Sequence, residues 1–194
     1  MTDAAFKIIK DLLVNRTDNL YEFVWKFYSE KMIAGTGGLA SKKSLLKTNQ
    51  VSRLLQENRK HTKWQTYDDQ MKKFIEKQVG RDSKKDGKHW QLFGVDLVEL
   101  LKSSLKDKKI DDQKFFGQWR DDVSELASQV RVDSNVADEL ENFSWAGLSP
   151  DQQSELTLLC SKEIVKRLAV FHRIHSEPQV WKKFTNQMQK GEPK

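Results

Sequence analysis

The stretch that most constrains this chain is Ser149-Pro150-Asp151-Gln152 together with the unbroken run that follows it to His175. Serine suits a helix N-cap, and proline suits the first helical position, where its missing N–H costs nothing. Gln152 stands where a capping-box side chain returns a bond to the cap. Beyond it, Leu156, Leu159, Cys160, Ile164, Leu168, Val170 and Phe171 recur at helical spacing, and Glu155, Lys162, Glu163, Lys166 and Arg167 form the polar stripe. The pattern predicts a helix over 150–175 with so wide an apolar surface that it should be the long central helix of the protein.

The same period of three and four recurs along the chain. Thr2 or Asp3 can cap a first helix bearing Phe6, Ile9, Leu12 and Leu13. Asp18 opens a second, with Leu20, Phe23, Val24, Phe27, Tyr28 and Trp25, which Gly35-Thr36-Gly37-Gly38 ends. That glycine tetrad lacks the lysine and the preceding strand of a phosphate-binding loop, so it is a helix connection. Further helices are expected over 41–58, broken near Thr48-Asn49, and around Trp64, Tyr67, Met71, Phe74, Ile75 and Val79. Others should begin at Asp96 and at Asp111 or Asp112, with a shorter one over 133–143 and a last one from Pro178 bearing Val180, Trp181, Phe184 and Met188. Only nine Gly and three Pro interrupt 194 residues, and the β-branched residues never gather into alternating runs. The expected fold is therefore all-α, a multi-helix bundle of seven to nine helices. Residues 1–194 make one domain, or two helical halves, 1–79 and 90–190, joined by a basic loop at 80–89.

No apolar run approaches the roughly 20 residues that cross a bilayer. The start Met1-Thr2-Asp3-Ala4-Ala5 has neither the basic nor the apolar region of a secretion signal. One cysteine, Cys160, forms no internal disulfide. The expectation is an intracellular protein, cytoplasmic or nuclear and not secreted, with no membrane partner.

Charge is distributed unevenly. The net +6 divides into a balanced 1–40, then +9 over 41–110 (18 basic, 9 acidic), −8 over 110–161 (3 basic, 11 acidic) and +5 over 162–194. Within the basic block lie Lys72, Lys73 and Lys77 on the fourth helix, Lys84, Lys85 and Lys88 in the loop, and Lys102 and Lys106 beyond it. Gathered on one surface, these lysines would attract RNA or DNA backbone through counterion release, and Trp64 and Trp90 among them would offer faces for stacking bases. With 26 Lys to 8 Arg, such binding would follow the backbone and not the sequence. The plainer reading is a solvated helix face with both tryptophans in the core. A helix-turn-helix over 49–74 is disfavoured by a long separation and by Asp68 and Asp69 on the second helix. The acidic helices over 111–142 suit a protein partner or a second copy of the chain, or simply pair with the basic ones.

Catalytic signatures are lacking: no Gly-x-Ser-x-Gly, Walker, dinucleotide, His-Glu-x-x-His or Glu-x-x-His pattern occurs. His172 and His175 are spaced to share a metal, with Glu177 and Cys160 as the nearest further ligands, but histidines near a helix C-terminus also serve the macrodipole. Cys160 sits in an apolar run and reads as a small buried hydrophobe. The sequence thus points to a non-enzymatic interaction protein with no cofactor and no metal. Its best-supported version is an accessory subunit of a nucleoprotein complex, and the alternative is a protein-protein adaptor.

Overall fold

The computed structural model describes residues 1–15, 24–29, 46–82, 90, 94, 97, 123 and 133–190. These are almost entirely helical, with no strand among the described residues. The α-helices are α1 (Asp3–Asn15), α2 (Thr48–Lys60), α3 (Trp64–Asp82), α4 (Ser134–Glu141), α5 (Pro150–Ser176) and α6 (Pro178–Lys190), with a 3₁₀ turn at Trp145–Gly147. Residues 24–29 are helical too, widening to a π-type turn at Tyr28 and Ser29. The glycine tetrad and the helices expected from Asp96 and Asp111 lie outside the described residues or touch them only at single positions.

Each described helix begins and buries as its residues dictate. Thr2 caps α1, its Oγ1 accepting from the Ala5 N–H at 3.4 Å, and Ala5, Phe6, Ile9 and Leu12 are buried at helical spacing. Helix α2 starts at Thr48, at the break expected near Thr48-Asn49, where Gln50 Oε1 accepts from the Lys47 N–H at 2.7 Å. It buries Val51, Leu54 and Asn58. Helix α3 buries Tyr67, Met71, Ile75 and Gln78.

The capping box of α5 is formed in full. Ser149 Oγ accepts from the Gln152 N–H at 3.3 Å, and Gln152 Oε1 accepts from the Ser149 N–H at 3.0 Å. Helix α5 touches α1, α2, α3 and α6, and α1 touches α4. Thr2 joins the last of these pairs, its N–H and hydroxyl both donating to Glu139 Oε2 at 2.9 and 2.6 Å.

Two assignments along α5 change. Glu163, expected in the polar stripe, is buried. Lys166 and Arg167, one turn on, both donate to its carboxylate, so the charge is neutralised within the helix before it enters the core. Burial raises the Glu163 pKa, but these bonds outweigh it and hold the carboxyl below its ordinary value. Val170, expected among the apolar contacts, is 52% exposed. It lines a groove between α2 and α5.

Candidate functional site

Helices α2 and α3 are joined by His61, Thr62 and Lys63 alone and touch one another. Three of the sequence-selected lysines fall on α3. Lys73 is exposed and donates to Asp69 at 2.7 Å, and Lys72 donates to Asp68 at 2.8 Å, both one turn back. Lys77 and Arg81 continue the row of Lys73 at i+4 and i+8, both exposed and without an ion pair among the described residues. Lys63 and Arg59 are exposed at the turn between the two helices. A stripe of positive charge thus runs from Lys73 to Arg81, with a second cluster at the opposite end of α3. Lys84, Lys85, Lys88, Lys102 and Lys106 lie outside the described residues, and so does most of the acidic 111–142 region.

The two tryptophans separate. Trp90 is 1% exposed and meets Phe74 edge-on, ring centroids 5.5 Å apart, so it is part of the core and offers no face to a base. Trp64 is half-buried with its ring 6.0 Å from that of Tyr67. Three residues separate α2 from α3, fewer than the sequence suggested. Yet the first turns of α3 carry Asp68 and Asp69, two carboxylates on the stretch where a recognition helix would approach phosphates.

Behind this hairpin sits a polar tie that the sequence did not single out. Tyr67 Oη donates to Asn58 Oδ1 at 2.7 Å, and Asn58 Nδ2 donates to the Lys162 carbonyl at 3.0 Å, joining α3, α2 and α5 inside the core. Burial pushes the Tyr67 phenol up, away from ionisation. Glu57 and His61, one turn apart on the exit from α2, meet at 3.2 Å. Burial raises the Glu57 pKa, and the bonds from Lys60 and His61 more than reverse it.

At the other end of α5, both histidines of the spacing noted above are engaged. Leu46 N–H donates to His172 Nε2 at 2.7 Å, and the Tyr28 hydroxyl lies 3.3 Å from His172 Nδ1 and 2.9 Å from His175 Nδ1. His172 is fully buried, with both ring nitrogens in hydrogen bonds, which leaves no lone pair for a metal. Among the described residues no group of three metal-ligating side chains gathers anywhere. Cys160 is buried, and burial drives its thiol pKa up, the opposite of an activated nucleophile. No described helix is long and apolar enough to cross a membrane.

Comparison with protein-family models, curated proteins and solved structures finds no match to this chain.

Proposed function

We propose that the chain is a single helical bundle built around α5 that acts as an accessory, non-enzymatic subunit binding RNA or DNA backbone through its lysine-rich region. The observation that carries this reading is the exposed row Lys73, Lys77 and Arg81 on α3, inside the segment where basic residues outnumber acidic ones two to one. The Asp68 and Asp69 pairs temper that charge only weakly, because exposed ion pairs are worth about 0–1 kcal/mol and a phosphate can displace them. Trp64 and not Trp90 is the residue left for stacking.

Titrating labelled single- and double-stranded oligonucleotides against the full chain tests the reading. Binding should weaken steeply with salt, by a log-log slope of about −0.9 per phosphate contacted. Lys73→Glu with Lys77→Glu and Arg81→Glu should abolish it. No binding at low salt refutes the reading.

A protein-protein adaptor is the second reading, favoured by the groove between α2 and α5. Leu46, Val51, Leu55, Ala169 and Val170 line it, with Arg173 beside them and room for about 120 Å³. Among the described residues the exposed large hydrophobic side chains are Val170 and Val180, a small apolar area for such a role.

A further inference from the structure

Two hydrogen bonds fix how α2 lies on α5. The Leu46 N–H just ahead of α2 donates to His172 Nε2 at 2.7 Å, and Asn58 Nδ2 near the end of α2 donates to the Lys162 carbonyl at 3.0 Å. The helices therefore run antiparallel, and neither can slide along the other without breaking a bond. Leu46, Val51 and Leu55 on one side and Ala169 and Val170 on the other form the apolar lining of the groove between them. Ala169 keeps the groove open, since a longer side chain at that position would fill it. The room is about 120 Å³, close to the roughly 150 Å³ of an apolar cavity that takes in benzene. A protein partner covers roughly 800 Å² of surface, so a space of this size suits one small molecule.

Thr48, Ser52, Arg173 and Ser176 supply the polar lining. Ser52 Oγ donates to the Thr48 carbonyl at 2.9 Å and Ser176 Oγ to the Arg173 carbonyl at 2.6 Å, so both serine protons are committed to their own helices. Arg173 is the one charged side chain among the lining residues, and it is exposed with no ion pair among the described residues. Helix α2 starts and α5 ends beside the groove, so a positive and a negative dipole end meet there and offset each other. The guanidinium therefore sets the sign of the ligand, and its planar fork matches a carboxylate.

We propose that the groove between α2 and α5 binds a small aliphatic monocarboxylate, its tail of about five or six carbons on the apolar lining and its carboxylate on Arg173. A longer acid would leave part of its tail in water. A dicarboxylate would set its second charge against an apolar wall with no cation to meet it. The site shares no residue with the row Lys73, Lys77 and Arg81, so it stands or falls independently of nucleic-acid binding.

Methyl NMR of the full-length labelled chain tests the proposal, with hexanoate as the probe and hexan-1-ol, hexylammonium and acetate as controls. Hexanoate should give saturable shifts at the methyls of Val51, Leu55, Ala169 and Val170, with a dissociation constant on the order of 1 mM, ordinary for a ligand of about eight heavy atoms. Hexan-1-ol has the tail without the charge and hexylammonium the opposite charge, so both should bind about fivefold or more weakly, and acetate should give no saturable shift. Arg173→Met changes an exposed residue and keeps an unbranched stem. It should bring hexanoate down to the level of hexan-1-ol and leave hexan-1-ol unchanged. No saturable shift with hexanoate up to about 20 mM, twenty times the expected constant, would overturn the site. Equal binding of hexanoate and hexan-1-ol, an unchanged response in Arg173→Met, or shifts that map away from α2 and α5 would do the same. So would an acidic leucine-bearing peptide that moves these methyls where hexanoate does not, which would give the groove to a protein partner.

Discussion

Asn58 offers the sharpest test of how the core is held together. Its carboxamide bridges three helices, accepting from Tyr67 Oη at 2.7 Å and donating to the Lys162 carbonyl at 3.0 Å, with Asn58 and Tyr67 both buried. In Asn58→Ala the Tyr67 hydroxyl is left buried and unpaired, a cost of about 1–3 kcal/mol, and the second bond and the packed volume are lost as well. The expected destabilisation is about 2–4 kcal/mol, large against the 5–15 kcal/mol typical of a domain. Tyr67→Phe strands only the Asn58 oxygen and should cost about 1–2 kcal/mol. In the double variant neither partner is stranded, so its cost should fall short of the sum by about 1–2 kcal/mol. Urea unfolding of the four proteins, followed by circular dichroism with equal m-values, measures the cycle. Additivity within about 0.5 kcal/mol would show that the two side chains are not energetically coupled and refute the assignment.

Three further outcomes follow from the geometry. Gly94→Ala should destabilise by about 1–3 kcal/mol in the same assay, because an added Cβ would stand 2.6 Å from Ile75 Cγ2, a β-branched methyl that cannot swing aside. Ser149→Ala should cost about 1 kcal/mol by removing the acceptor for the Gln152 N–H, and Ser149→Asp should restore most of it. Glu163 sets an acid limb: its carboxyl is held below the ordinary 4.5, so its contribution is present above that value and is lost as pH falls through the folded one. The stability difference between wild type and Glu163→Gln should therefore shrink as pH is lowered from about 6 to about 3, read as urea midpoints at each pH.

Where the sequence was legible, short-range chemistry decided the outcome. Ser149, Pro150 and Gln152 act within one turn of each other, so their box could be read from four letters, and α5 starts where they place it. The spacing of Phe6, Ile9 and Leu12 and of Tyr67, Met71 and Ile75 likewise marked buried faces, since one helix face is a local property. Boundaries failed where a polar residue belongs to the buried face. Asn58 looked like the end of a helix, yet α2 continues to Lys60 because Asn58 lies in register with Val51 and Leu54 and finds its partners on α3 and α5.

The candidate site residues were less legible for the same reason taken further. Spacing placed Lys73 and Lys77 on one exposed face, but it could not part Trp64 from Trp90, since burial of Trp90 depends on Phe74 in another element. The pair His172 and His175 is the clearest case. Three residues apart on a helix, two imidazoles suit a shared metal as well as two separate hydrogen bonds, and the sequence offers nothing local to choose between them. Tyr28 and Leu46 decide it, more than a hundred residues upstream. A trace was nevertheless present in α5 itself. A helix apolar enough to be central carries Thr157, Ser161, Glu163 and His172 on its buried surface, and burying a polar group without a partner costs more than a typical hydrogen bond returns. Three of these four have found one: Thr157 and Glu163 within α5, and His172 across the core. Ser161 Oγ remains unpaired among the described residues. Polar residues that interrupt a central apolar helix therefore mark where to look for ties to the rest of the chain, and in this protein His172 is the one whose partners lie farthest away.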